Sequence, residues 1–188
     1  MNLKNPVPAL SLTQYKKNLR EIPFKNKVLT DQFDRKIEDL RISITDRCNL
    51  RCFYCLEPSA SFIPKRKLLS INDYTRFCSI LLKNAHIQKI RITGGEPTTR
   101  KDLDLLIKNI GKMNIKDIAM TTNGTLLNKD KLKKWFDYGL NRITFSLDSL
   151  KDEKSKIITR RPYSPKLVIK AIKNAQEVGF KNIKINTV

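Results

Sequence analysis

At 188 residues, with 40% apolar and 30% charged side chains, the chain has the composition of one globular domain and not of a disordered or low-complexity segment. No run approaches the roughly 18 consecutive apolar residues of a membrane span. The net charge of +20 invites a nucleic-acid reading, but lysine is spread through every predicted helix (Lys108, Lys112, Lys133, Lys134, Lys170, Lys173), with no stacking-aromatic or helix-turn-helix pattern. The charge therefore reads as a solvated surface, part of which can serve an anionic small substrate, with no nucleic-acid partner.

Residues 1–29 read as a loosely ordered N-terminal extension. Met1 to Arg20 holds no Asp or Glu, and Pro6, Pro8 and Pro23 interrupt it. Its acid-poor, basic character is also that of a transit peptide, although no apolar stretch suits secretion. Residues 30–188 form the domain. Strand-like runs at Leu40–Asp46, Lys89–Thr93, Asp117–Thr122, Asn141–Leu147 and Asn182–Val188 alternate with helical patterns near Ile71–Asn84, Asp102–Met113, Asp130–Tyr138 and Pro165–Val178. Ser70 and Ser164–Pro165 are start signals, and Gly139 and Gly179 stop signals. Such alternation predicts an α/β fold with parallel strands joined by crossovers.

Alternate strand residues share a face. Arg41, Ser43 and Thr45 fall together, as do Arg91 and Thr93, Ala119 and Thr121, Thr144, Ser146 and Asp148, and Lys184 and Asn186. The opposite faces are apolar: Ile42 and Ile44, Ile90 and Ile92, Ile118 and Met120, Ile143, Phe145 and Leu147, Ile183 and Ile185. A sheet covered by helices on both sides would be apolar on both. The pattern predicts a curved sheet with a wet, cationic concave face; a two-layer sheet with one face simply in water is the alternative.

Cys48, Cys52 and Cys55 form a C-x3-C-x2-C motif directly after the first strand. Disulfides at this spacing would be strained, so the thiols read as metal ligands. Three thiolates can hold three irons of a [4Fe–4S] cluster and leave the fourth open to an exogenous ligand. Zinc with a fourth ligand is the competing reading, and His86 is the one histidine. Cys78, in an apolar helical pattern, reads as a buried structural thiol.

This motif, with an aromatic residue before its last cysteine, resembles the signature of the radical S-adenosylmethionine (SAM) superfamily. Gly94-Gly95-Glu96-Pro97, ending the second strand, resembles the family segment that meets the SAM amino group, where glycine allows close backbone approach. The closer resemblance is to the GTP 3′,8-cyclases of molybdenum-cofactor biosynthesis. It is carried by Leu40–Cys52, Lys89–Arg100, Thr121–Gly124, Ser146–Ser149 and Asn182–Val188, and covers residue 30 to the end.

The resemblance implies a TIM-like (β/α) barrel, here partial and stopping after about five strands. It implies SAM on the open iron, cleaved by one-electron reduction to a radical that abstracts hydrogen from substrate. Position by position, Cys48, Cys52 and Cys55 would hold the cluster, Tyr54, Gly95 and Ser146 would contact SAM, and Arg41, Arg91, Thr121 and Lys184 would contact GTP. It further implies a low-potential electron donor, the next pathway enzyme as partner, a cytoplasmic setting and compatibility with a homodimer. The family's second, C-terminal [4Fe–4S] cluster finds no ligands in this sequence. Asp34 replaces a family glycine before Arg35, and Glu57-Pro58 and Thr98-Thr99 replace apolar choices. A chain of this length is also compatible with a non-catalytic remnant that binds cluster and SAM, or with another radical SAM reaction such as peptide modification.

Overall fold

A computed structural model describes residues 28–57 and 59–188. The expected extension thus lies outside the described residues, apart from Val28 and Leu29. Thr30 and Lys36 bridge antiparallel across a tight turn whose Asp34 has φ 58°. That is the left-handed region glycine favours, and aspartate is among the side chains that tolerate it.

Five strands follow, β1 (Asp39–Ser43), β2 (Lys89–Thr93), β3 (Asp117–Thr122), β4 (Arg142–Ser146) and β5 (Asn182–Asn186). They form one sheet in sequential order, every neighbouring pair parallel. The α/β expectation holds, as an open, partial (β/α) barrel, and the sequential order brings all carboxyl ends to one edge. Helices α1 (Ile71–Asn84), α2 (Leu103–Gly111), α3 (Lys129–Asp137), α4 (Asp152–Thr159) and α5 (Pro165–Val178) occupy the connections. Ser70 opens α1 with a reciprocal capping box to Asp73, and Gly179 closes α5 at φ 113°.

The apolar strand residues face the helices. Ile90, Ile92, Met120, Ile143 and Phe145 are fully buried with Leu106, Ile107 and Ile110 of α2 and Leu132 and Trp135 of α3. Each such side chain contributes roughly 1.5–3 kcal/mol of transfer free energy. On the opposite face Ala119 and Thr144 are also buried, at 1% exposure each. They are flanked in register by Arg91 and Arg142 and by Thr121 and Lys184, on the concave side of the partial barrel, where Arg41 and Lys184 on the two edge strands are exposed. Helix α4 is a departure from the expected four helices. Its inward stripe is Ser155 and Thr159, while Ile157 is 71% exposed, so its sequence carries no apolar period to reveal it.

Candidate functional site

The chain leaves β1 into a loop that carries all three motif cysteines. Leu50 is buried and anchors it. The loop backbone then docks on the end of α4: Arg51 N–H donates to Thr159 O at 2.9 Å and Phe53 N–H to Ile158 O at 3.0 Å. These carbonyls are the unpaired acceptors every helix end leaves over. Cys55 and Leu56 N–H both donate to Cys52 O, closing a turn. Cys48 Sγ accepts the Leu50 N–H at 3.3 Å. Cys48 and Cys52 are half-buried and Cys55 is exposed. Burial pushes the Cys48 and Cys52 thiols up, and the Leu50 N–H partly offsets this at Cys48.

The ends of β2 and β3 are tied to this loop through Glu96, only 1% exposed. Its Oε1 accepts from Thr98 N–H (3.1 Å), Thr98 Oγ1 (2.6 Å) and Thr122 Oγ1 (2.7 Å), and its Oε2 from Asn123 N–H (2.6 Å). Thr98, which departs from the family's apolar choice, is thus a ligand of the buried carboxylate. Asn123 Nδ2 donates to Asn49 Oδ1 at 2.9 Å and lies 4.0 Å from Cys48 Sγ, and Asn49 Nδ2 donates to Thr125 Oγ1 at 2.8 Å. Glycine is required at 94 and 95 by the protein backbone itself. A Cβ on Gly94 would lie 2.4 Å from Thr45 O, and one on Gly95 2.5 Å from Arg47 O. The side on which a Cβ would project is thus filled by the backbone of the cysteine loop.

The expected site residues lie along the concave face. Arg41 pairs in register with Arg91, and Thr121 with Thr144 and Thr144 with Lys184. Ser146 ends β4 and Gly95 follows β2, both at the carboxyl edge with the cysteines. Tyr54 donates its hydroxyl to Asp148 Oδ2 at 2.6 Å, and burial and the carboxylate push the phenol strongly up, keeping it a neutral donor. Arg142, in register with Ala119, adds a basic residue that the sequence reading missed although strand alternation places it there. Ion pairs divide these cations. Lys89 meets Asp39 at 3.1 Å and Arg142 meets Asp117 at 3.0 Å, whereas Arg41, Arg91 and Lys184 have no ion-pair partner among the described residues. These three and Thr121 share a face, but none of them lines the cavities of about 370, 250 and 210 Å³, the last of which lies at the end of β1 beside Ser43 and Thr45.

Among the described residues no three His, Cys, Asp or Glu side chains lie close enough to share one metal ion, and His86 is exposed two residues past the end of α1. A [4Fe–4S] cluster offers each thiolate a separate iron, so it calls for thiols spaced around a cube and not gathered on a point. The donor set fits such a cluster: three free thiols, the Leu50 N–H donating to Cys48 Sγ, and a buried donor without a partner, Arg47 Nε, in the residue just before it. Cys78 is fully buried among core residues and offers no ligand for a second cluster.

Comparison with known proteins agrees with this geometry. The profile of the Radical SAM superfamily matches residues 42–188. The GTP 3′,8-cyclase of Aquifex aeolicus is 44% identical over 164 residues, which is 86% of this chain and 50% of that protein. The GTP 3′,8-cyclase of Clostridium botulinum (strain Hall) is 47% identical over 164 residues, 85% of this chain and 50% of its own. The chain thus spans about half the length of these curated relatives. SuiB of Streptococcus suis bound to S-adenosylmethionine superposes with a TM-score of 0.66 at 24% identity, over 80% of this chain and 33% of that one, which shows a shared fold. The motif at the end of β1, the fold that presents it and the matched profile together make this chain a member of the radical SAM superfamily.

Proposed function

We propose that the chain is the cluster- and SAM-binding part of a GTP 3′,8-cyclase, the enzyme that begins molybdenum-cofactor biosynthesis. The observation that carries this reading is the division of charge on the concave face. Arg41, Arg91 and Lys184 are left without carboxylate partners, while Lys89 and Arg142 beside them are neutralised by Asp39 and Asp117. Uncompensated cations on an inward-facing surface suit a polyanion, and guanidinium donors match phosphate oxygens. The relatives at 40–47% identity are GTP 3′,8-cyclases, which favours that substrate over a peptide.

In this reading Cys48, Cys52 and Cys55 hold a [4Fe–4S] cluster, and Tyr54, Gly95 and Ser146 meet SAM. When bound, the pair supplies one-electron reductive chemistry that removes a hydrogen atom from substrate. The chain's own residues position and shield. The carbonyls ending α4 fix the loop, Glu96 and Asn123 fix the strand ends, and Tyr54 is oriented by Asp148. Arg41, Arg91 and Lys184 bind the triphosphate and Thr121 takes a hydroxyl contact. A low-potential donor supplies the electron, and the product passes to the next enzyme of the pathway.

The test is anaerobic reconstitution, then incubation with SAM, GTP and a strong reductant, followed by chromatography for 5′-deoxyadenosine and cyclised nucleotide. GTP-stimulated SAM cleavage that Arg91→Ala removes supports the reading. Iron-loaded protein that cleaves SAM at a rate indifferent to GTP and to Arg91 overturns it.

A further inference from the structure

Arg47 and Arg51 flank Cys48 and converge on one ring. Their guanidinium carbons lie 5.6 and 4.9 Å from the centroid of Phe62, within cation–π range. Both side chains also grip backbone. Arg51 Nη1 donates to Cys48 O at 2.6 Å and to Leu50 O at 2.7 Å, bracing the loop from within. Arg47 Nη2 donates to Ile63 O at 3.3 Å, while Asp46 Oδ2 accepts the Ile63 N–H at 2.5 Å. Phe62 and Ile63 are therefore clasped by three residues of the cluster loop.

The charges here do not balance. Neither guanidinium has an ion-pair partner among the described residues, since every ion pair there is made by other side chains. Asp46, whose Oδ2 accepts the Ile63 N–H, supplies one negative charge against two positive ones, and its Oδ1 and Arg47 Nε are buried without partners. Two like charges against a single ring repel unless an anion lies near both. Cys48, between them in sequence, is expected to carry such an anion once its thiolate joins a cluster, because three thiolates make the assembly net negative.

We propose that Arg47 and Arg51, gathered on Phe62, are positioning residues of the cluster site, which hold the Cys48 loop in its liganding shape and set the cluster's reduction potential. The inference rests on the cluster reading above. Reduction adds a negative charge, so fixed positive charges alongside favour the reduced form, and net charge is one of the protein's levers on such potentials. The fork of Arg51 supplies the shape and its charge supplies the potential, so the two roles are separable by substitution.

The test uses the full 188-residue chain, wild type and the variants R47Q, R51Q, R51K and F62L, reconstituted anaerobically with iron and sulfide. Iron content, loss of iron to a chelator and an EPR-monitored redox titration are read. At the solution potential that half-reduces wild type, R51Q is expected to be reduced to less than about one tenth, the change that 59 mV produces for one electron. R47Q shifts in the same direction. R51K, which keeps the charge but not the fork, stays near the wild-type potential and loses iron several-fold faster. F62L keeps apolar bulk but not the ring, and also sheds iron faster, while its cluster-free melting curve stays near wild type. Loaded variants that match wild type in both potential and iron loss overturn this inference alone. A wild-type chain that takes up no iron overturns the cluster reading with it.

Discussion

The carboxyl group of Glu96 accepts the backbone N–H of Asn123 at 2.6 Å, so the carboxyl end of β2 grips that of β3 directly beside Cys48. Burial outweighs the four hydrogen bonds to this group and holds its carboxyl above the usual glutamate range. The native chain then keeps a proton that the unfolded chain releases, so the stability this proton confers is full below the ordinary glutamate pKa. It is lost as pH rises through the raised one. Glu96→Gln has no such slope and forfeits an acceptor, at about 1–3 kcal/mol. Urea unfolding at several pH values is expected to show the wild-type advantage narrowing as pH rises from about 4 towards neutral. An advantage that widens would contradict the assignment.

The cysteines separate by role. Anaerobically reconstituted wild type is expected to hold about four iron and four sulfide per chain. Alanine at Cys48, Cys52 or Cys55 removes this, while Cys78→Ala leaves it intact and instead costs stability, because that thiol is fully buried in the core. Stoichiometric zinc in a colourless wild-type protein would refute the cluster.

On the concave face, Arg41→Ala, Arg91→Ala and Lys184→Ala are each expected to weaken GTP binding by roughly tenfold or more, since a charge-assisted contact is worth about 1.5–3 kcal/mol. Lys89→Ala and Arg142→Ala, already neutralised by Asp39 and Asp117, have a smaller effect. Calorimetric titration distinguishes the two sets, and equal losses in both would show that net charge alone governs binding.

Gly95→Ala tests why that position lacks a side chain. The added Cβ would fall 2.5 Å from Arg47 O and 2.6 Å from Asp46 O. Thermal melting of the cluster-free chain is expected to show a loss of about 1–3 kcal/mol, the usual range for overpacking. A variant that melts like wild type without cofactors but fails to bind SAM would return the glycine to a purely ligand-facing role.

Much of this was legible in the sequence because it rests on strong periodicities. Alternating Ile and polar residues fixed the strands and their faces, and Ser70 and Gly179 marked helix ends by chemistry that leaves little choice. The cysteine spacing pointed to the loop that follows β1. What stayed hidden depends on contacts between distant segments. Asn49, Asn123 and Glu96 act together only because parallel strands end on one edge, and no local pattern announces a buried carboxylate with four donors. Helix α4 escaped because Ser155 and Thr159 form its inward stripe, so its amphipathicity is polar against polar. Arg142 was within reach of the same alternation that found Arg91, but Asp117, its partner, is set by register.

The docking of Arg51 and Phe53 on the carbonyls of Thr159 and Ile158 also bears on how this chain can vary. Connections between elements ordinarily absorb insertions and deletions at little cost. The β4–β5 connection is denied that freedom at its middle, because adding or removing one residue within Asp152–Thr159 rotates the helix by about 100° and carries its last carbonyls away from the cysteine loop. Length changes between β4 and β5 are therefore kept out of Asp152–Thr159, and a stretch of sequence with no chemistry of its own becomes as constrained in length as the C-x3-C-x2-C motif it supports.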